Sequence, residues 1–281
     1  VTGWADHAPA GWEAVALAAL AEDLGDGDRT AACLPAGARA RWMIEAQASG
    51  ALCGVGLARW LLNDGGSVAR AVASDGQPAS PGQRVLEGEG TAAAVFARER
   101  TALNFLMLLS GVATLTARYV EAVRGLPAAI VDTRKTIPGL RALQKYAVRC
   151  GGGGSHRSGL YDGILIKDNH IVAAGGIASA VASAIASASH LMRIEVECET
   201  PEQVREAVAA GADVILLDNM APGAMRRVVD EFGGRCLFEA SGGVTLESVA
   251  VIAAAGVDLI SVGELTHSAP ALPFHLEVLP A

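Results

Sequence analysis

Apolar positions follow two different rhythms along this chain. Up to residue 110, helical and strand-like patches come in no fixed order. Residues 13–24 have helical spacing, residues 38–48 alternate so that Trp42, Ile44 and Ala46 share one face, and residues 54–63 read as a short helix. A Gly- and Pro-bearing loop over 74–83 leads into a short strand at 85–87. Two helices are then predicted, over 91–109 and 112–124, with Ser110-Gly111 as the stop between them. These elements make a small α+β unit.

From residue 128 the rhythm changes to short apolar runs, each ending on a polar residue or glycine and followed by a helical stretch. The runs are 128–132, 164–167, 193–197, 214–218, 236–239 and 258–262. Strands that are apolar on both faces and alternate with helices belong to a parallel sheet covered by helices. The unit length is nearly constant: 21 residues separate Glu197 from Asp218, 21 separate Asp218 from Glu239, and 22 separate Glu239 from Ser261. Such regularity favours an α/β-barrel over an open sheet. Six units fall short of eight, so the expected architecture is an incomplete α/β-barrel joined to the preceding unit.

Composition narrows the class. A chain of 281 residues that is 51% hydrophobic buries one or two cores. The most apolar helical windows, 13–20 and 101–109, are interrupted before a membrane-spanning length, and residues 1–10 lack the pattern of a secretion signal. A cytoplasmic enzyme is expected, with no membrane partner. The five cysteines have no C-x-x-C spacing, so reduced thiols are expected in place of a zinc site or a disulfide framework. A net charge of −8 argues against nucleic acid as a partner.

The distribution of charge says more than its sum. Only three of the 22 basic residues are lysines, and Lys135, Lys145 and Lys167 all fall in one segment that also holds Arg134, Arg141, Arg149 and Arg157. Lysine is a compact point charge and arginine a planar fork, so a site needing the former keeps it. In a barrel the active site lies at the carboxyl ends of the strands. The residues there are Asp132-Thr133-Arg134-Lys135, Lys167-Asp168-Asn169-His170, Glu197, Asp218-Asn219, Glu239-Ala240-Ser241-Gly242-Gly243 and Gly263. Gly151 to Gly154, followed by Ser155-His156-Arg157, combines backbone freedom with cationic donors. Ser241-Gly242-Gly243 precedes a helix expected near Thr245, whose amino terminus suits a phosphate. Structural ion pairs are one reading of these charges. The other is that the cations hold phosphate and carboxylate oxygens while Glu197 and Asp218, on neighbouring strands, hold a hydrated Mg²⁺ on a pyrophosphate.

The words Asp132-Thr133-Arg134-Lys135-Thr136-x-Pro138-Gly139-Leu140-Arg141, Lys145-Tyr146-Ala147-Val148, Gly151 to Arg157 and Leu165-Ile166-Lys167-Asp168-Asn169-His170 resemble the quinolinate phosphoribosyltransferase family. The likeness extends from Ala21-Glu22-Asp23-Leu24-Gly25 and Gly27-Asp28, through Glu99-Arg100-Thr101-Ala102-Leu103-Asn104, to Val262-Gly263-x-Leu265-Thr266-His267-Ser268. It covers nearly the whole chain.

The resemblance implies an amino-terminal α+β sandwich domain, residues 1–110, and an incomplete α/β-barrel, residues 111–267, with the tail 268–281 packing on the former. It implies a Mg²⁺-dependent homodimer that joins quinolinate to phosphoribosyl pyrophosphate with decarboxylation, in NAD biosynthesis. Thr133, Arg134, Lys135, His156, Arg157 and Lys167 would form the basic pocket, and Arg100 would come from the neighbouring subunit. Glu197 and Asp218 would face the ribose hydroxyls and the metal, directly or through water, while Ser241, Gly242, Gly243 and Gly263 would bind phosphate. Lys135, Lys167, Glu197 and Asp218 would carry the catalysis. Two residues depart from the family pattern: Ser155 stands in place of the usual asparagine, and Glu264 follows Gly263 in place of a small residue. Rival readings are a related transferase acting on another small acid, and a nucleotide-sensing relative without catalysis.

Overall fold

The computed structural model describes residues 8–279. The segment read for a leader, 1–10, therefore lies outside the described residues as far as residue 7. Two compact units emerge. One gathers the described part of Val1–Ala117, Thr136–Gly152 and Glu264–Ala281; the other comprises Arg118–Lys135 and Gly153–Gly263. Residues 136–152, which a linear division assigns to the barrel, thus cluster with the first unit.

The first unit is built on a four-stranded antiparallel sheet. Its strands are β1 (Arg39–Ala46), β3 (Ser67–Ala71), β5 (Arg84–Thr91) and β12 (Phe274–Leu279), in the order β12-β1-β5-β3. A short pair, β2 (Gly50–Ala51) and β4 (Pro78–Ala79), lies apart. Trp42, Ile44 and Ala46 are all fully buried, as their alternation predicts. Trp42 fits because Gly88 lies opposite it: a Cβ at Gly88 would come within 2.4 Å of the indole ring. Strand β3 is absent from the pattern analysis, since its five residues include an exposed Val68 and Arg70 and alternate too briefly to register.

The expected stop at Ser110-Gly111 is overturned: Ala92–Ala122 is one helix of 31 residues. Both residues serve packing instead. Ser110 Oγ accepts from Cys53 N–H at 2.9 Å and donates to Cys53 O at 3.0 Å. Gly111 leaves room for the Pro270 carbonyl, which would stand 2.2 Å from a Cβ. This helix is long and apolar enough to cross a membrane, with mean hydropathy 1.3, but 61% of the apolar window is buried within the protein, as befits a core helix. The thiols are all free.

The second unit is a six-stranded parallel sheet of β6 (Ala129–Val131), β7 (Ile164–Ile166), β8 (Ile194–Cys198), β9 (Val214–Asp218), β10 (Leu237–Ser241) and β11 (Leu259–Ser261). The order β6-β11-β10-β9-β8-β7 places the first strand beside the last, as in a barrel opened between its first and second strands. The glycine-rich segment attaches at that opening. Gly154 bridges to Val131, its N–H donating to Ile130 O at 2.8 Å. A Cβ there would meet Val131 at 3.2 Å, so the glycine permits the close approach.

The helix before the glycine-rich segment begins at Arg141, because Pro138-Gly139 forms a turn with Gly139 at φ 80° and Leu140 N–H bonded to Ile137 O. The helix expected near Thr245 is only Val249–Ala253; Thr245–Ser248 is a turn closed by Ser248 N–H on Thr245 O.

Candidate active site

At the carboxyl ends of the parallel strands lies a cavity of about 480 Å³. Thr133, Arg134, Lys135, His156, Arg157, Lys167, Glu197, Asp218, Ser241, Gly242 and Gly243 all line it. The sheet brings together eleven of the thirteen expected residues. Gly263 follows β11 without lining the cavity, and Arg100 is an exposed residue of Ala92–Ala122 in the first unit. Leu165, Leu216, Asn219, Glu239 and Ser261 complete the wall. A larger cavity, about 570 Å³, lies at the amino ends of the strands. There Asp213 and Asp258 accept from Ile194 N–H and Phe238 N–H at 2.8 Å each, a structural use of acids expected at that face.

The basic side of the cavity is under-satisfied. The Nε atoms of Arg134 and Arg157 are both buried without a hydrogen-bond partner. Burial, and then the positive charge of Arg134, lower the pKa of Arg157. Two neighbouring half-buried guanidiniums that repel each other, each with an unspent Nε donor, are arranged for an anion with forked oxygens. Lys167 adds a third cation, held in an ion pair with Glu197 Oε2. Its backbone is fixed by Lys167 N–H donating to His170 Nδ1 at 3.0 Å.

The acidic side lies on β8 and β9. Glu197 and Asp218 end up on adjacent strands, with Asn219 Nδ2 donating to Asp218 Oδ2 at 2.8 Å. Asn219 is the one non-glycine residue with positive φ among the described residues, at 53°. Strain of that kind at a cavity wall persists only when the surroundings enforce it. Here they do: Asn219 N–H donates to Ser241 O at 3.0 Å, and the Asn219 side chain occupies the space that a Cβ on Gly242 would take, 2.3 Å from Oδ1. Gly242 also has φ 88°. Gly242→Ala should therefore displace Asn219 and with it Asp218. A rise of at least about tenfold in KM for the phosphorylated substrate is expected, from strain of about 1–2 kcal/mol plus the lost alignment. An unchanged KM in steady-state kinetics would show that this turn does not hold the ligand.

Beneath the cavity is a feature that strand ends alone do not reveal. His156 Nε2 stands 3.0 Å from Glu195 Oε2 and 3.7 Å from Glu239 Oε1. His156 N–H donates to Asp132 Oδ1 at 3.0 Å, and its Nδ1 accepts Arg157 N–H at 2.7 Å. Arg157 N–H is directed at Nδ1, so Nε2 is the ring nitrogen that faces Glu195. Glu195 was missed because it lies inside β8 and not at its end. The available signal was its spacing of two from Glu197, which puts both on one face of the strand.

Burial, and next the nearby Glu195, push the pKa of Glu239 up to about 7. An acid whose folded pKa exceeds its unfolded one stabilises the fold below the unfolded value, and that stability is lost as pH rises through the folded value. Wild type should thus lose on the order of 1–3 kcal/mol between about pH 4.5 and about pH 7 from this group. Glu239→Gln should flatten the fall. Denaturant melts at both ends of the range test it, and parallel pH slopes in the two proteins would refute it.

Comparison with known proteins agrees with this geometry. Residues 112–277 match the model for the quinolinate phosphoribosyl transferase C-terminal domain, and residues 28–110 match that for its N-terminal domain. The chain is 44% identical over 259 residues to a probable nicotinate-nucleotide pyrophosphorylase (carboxylating) of Bacillus subtilis, covering 92% of this chain and 90% of the relative. It is 42% identical over 270 residues to the nicotinate-nucleotide pyrophosphorylase (carboxylating) of Mycobacterium leprae, covering 92% and 94%. The solved nicotinate-nucleotide pyrophosphorylase of Francisella tularensis superposes with a TM-score of 0.91 at 38% identity, covering 95% of each chain.

Proposed function

This chain belongs to the quinolinate phosphoribosyltransferase family, and on that footing we propose that it transfers phosphoribosyl from phosphoribosyl pyrophosphate to quinolinate, releasing carbon dioxide and pyrophosphate and forming nicotinate mononucleotide for NAD biosynthesis. The observation that carries the assignment is the pair of buried, unpartnered Nε atoms on Arg134 and Arg157. Two forks and the Lys167 ammonium exceed what one phosphate and one carboxylate require, and they suit a pyridine dicarboxylate.

The reaction asks the protein for charge placement more than for a nucleophile. The pyridine nitrogen attacks the anomeric carbon as the bond to pyrophosphate breaks, so positive charge builds on the sugar and negative charge on the leaving group. Arg134 and Arg157 hold the acceptor's carboxylates and orient its nitrogen, a proximity effect. Lys135 and Lys167 oppose negative charge on the phosphates in this reading, a role that fixed cations perform without reorganisation. The Ser241-Gly242-Gly243 turn receives a phosphate through its backbone. Once the nitrogen is alkylated, the cationic ring stabilises the electron pair left when the adjacent carboxylate departs.

Glu197 and Asp218 fit a Mg²⁺ ion. They are hard oxygen donors on adjacent strands and open onto the cavity, and they would hold the ion directly or through water. When bound, the ion would neutralise pyrophosphate oxygens. We further place the enzyme in the cytoplasm as a homodimer, in which Arg100 completes the neighbouring subunit's site.

Acceptor selectivity tests the reading. With phosphoribosyl pyrophosphate and Mg²⁺, quinolinate should be consumed and nicotinate left untouched, and a chelator should stop turnover. Comparable use of nicotinate would defeat the assignment, since one carboxylate would then suffice.

A further inference from the structure

Three buried acids have no part in the scheme above. Asp132, Glu195 and Glu239 are 0%, 7% and 2% exposed. Positions facing a barrel interior are ordinarily filled by branched apolar side chains, and a buried carboxylate there is costly unless something compensates. Mutual pairing does not compensate: Glu195 Oε1 and Glu239 Oε1 are both buried without a hydrogen-bond partner.

What the acids share is His156. Asp132 takes its backbone N–H, Glu195 takes Nε2–H at 3.0 Å, and Glu239 stands 3.7 Å from the same nitrogen. The opposite ring nitrogen accepts Arg157 N–H at 2.7 Å, so the orientation of the imidazole and the backbone course at Arg157 are linked. Arg157 in turn has one guanidinium nitrogen tied to Gly163 O at 3.2 Å, while its Nε stays unspent. This stretch follows four consecutive glycines, a backbone with more alternative courses than any other sequence would have. An anchor at its far end is what such a segment requires.

We infer that Glu195, backed by Glu239, is a positioning residue for the acceptor half of the site: by holding the His156 ring it fixes Arg157 in the place where the acceptor's carboxylate is received. This rests on the reading that Arg157 meets quinolinate. Glu195 touches no substrate and acts through His156. Its loss should therefore weaken acceptor binding selectively, because the phosphate turn at Ser241–Gly243 is held by Asn219 and not by His156.

Two substitutions in the full-length enzyme separate positioning from general stability. Glu195→Leu keeps the volume and removes the acceptor oxygens, and it should raise KM for quinolinate at least about tenfold while KM for phosphoribosyl pyrophosphate stays within about twofold. Glu195→Gln keeps an acceptor oxygen for Nε2–H and should stay within about threefold of wild type in both constants. A folded Glu195→Leu enzyme with an unchanged quinolinate KM overturns the inference, and so does a parallel rise in both constants, which signals loosening of the whole barrel. Should Glu195→Leu not fold, histidine ring ¹⁵N spectra of wild type and Glu195→Gln decide. Wild type should show a slowly exchanging Nε2–H on His156 that shifts in Glu195→Gln; a ring without a proton on Nε2, or a signal indifferent to the substitution, overturns it. Wild type that does not use quinolinate would instead sink the functional reading, and the spectra would still report on Glu195.

Discussion

Lys167→Ala is expected to lower turnover by at least about a hundredfold, and Lys135→Ala by as much, which corresponds to about 2.7 kcal/mol of transition-state stabilisation for each. Lys167 stands between the two sides of the cavity: it leaves β7, pairs with Glu197 on β8 and shares the wall with Arg134 and Arg157. A structural role would predict something different. An ion pair with a half-exposed lysine contributes only about 0–1 kcal/mol to stability, so its removal would shift the melting transition slightly and leave turnover alone. Thermal melts together with kcat distinguish the two. Near-normal turnover in either folded variant would remove that lysine from the catalytic group.

The second large effect concerns Arg100, which is exposed on Ala92–Ala122 and belongs to the unit that does not hold the cavity. Arg100→Ala and Lys135→Ala should each be inactive alone. Co-expressed, they should form mixed dimers of the proposed kind, in which one site keeps its own Lys135 and receives an intact Arg100 from the other subunit. Random pairing makes about half the dimers mixed with one good site each, so about a quarter of wild-type activity should return. If Arg100 serves its own chain, both sites of the mixed dimer are broken and no activity returns on mixing.

The barrel strands were legible because parallel strands buried on both faces leave short apolar runs that little else produces. Residues 214–218 were delimited at the bounds the structure has, Val214–Asp218. The cavity wall was legible for the same reason: chemistry at strand ends interrupts the apolar run. Glu195 was not, since a charge inside a strand resembles any half-exposed position until the neighbouring strands close over it. Ser110-Gly111 misled because a small polar residue beside glycine marks a helix end and a close packing contact equally well. Only the Cys53 and Pro270 partners, 57 and 159 residues away, distinguish the two. Strand β3 depends on pairing with β5, from Ser67 opposite Gly90 to Ala71 opposite Leu86, and such nonlocal partners leave no local pattern.

Transfer and decarboxylation are coupled in the proposed reaction, and a stoichiometric assay reads that coupling directly. Purified protein is given Mg²⁺, phosphoribosyl pyrophosphate and quinolinate carrying ¹³C in the carboxylate next to the ring nitrogen. Nicotinate mononucleotide, pyrophosphate and labelled carbon dioxide should appear in equal amounts, and none should form when phosphoribosyl pyrophosphate is withheld. Pyrophosphate release without labelled carbon dioxide, or a nucleotide that retains the label, would contradict the assignment.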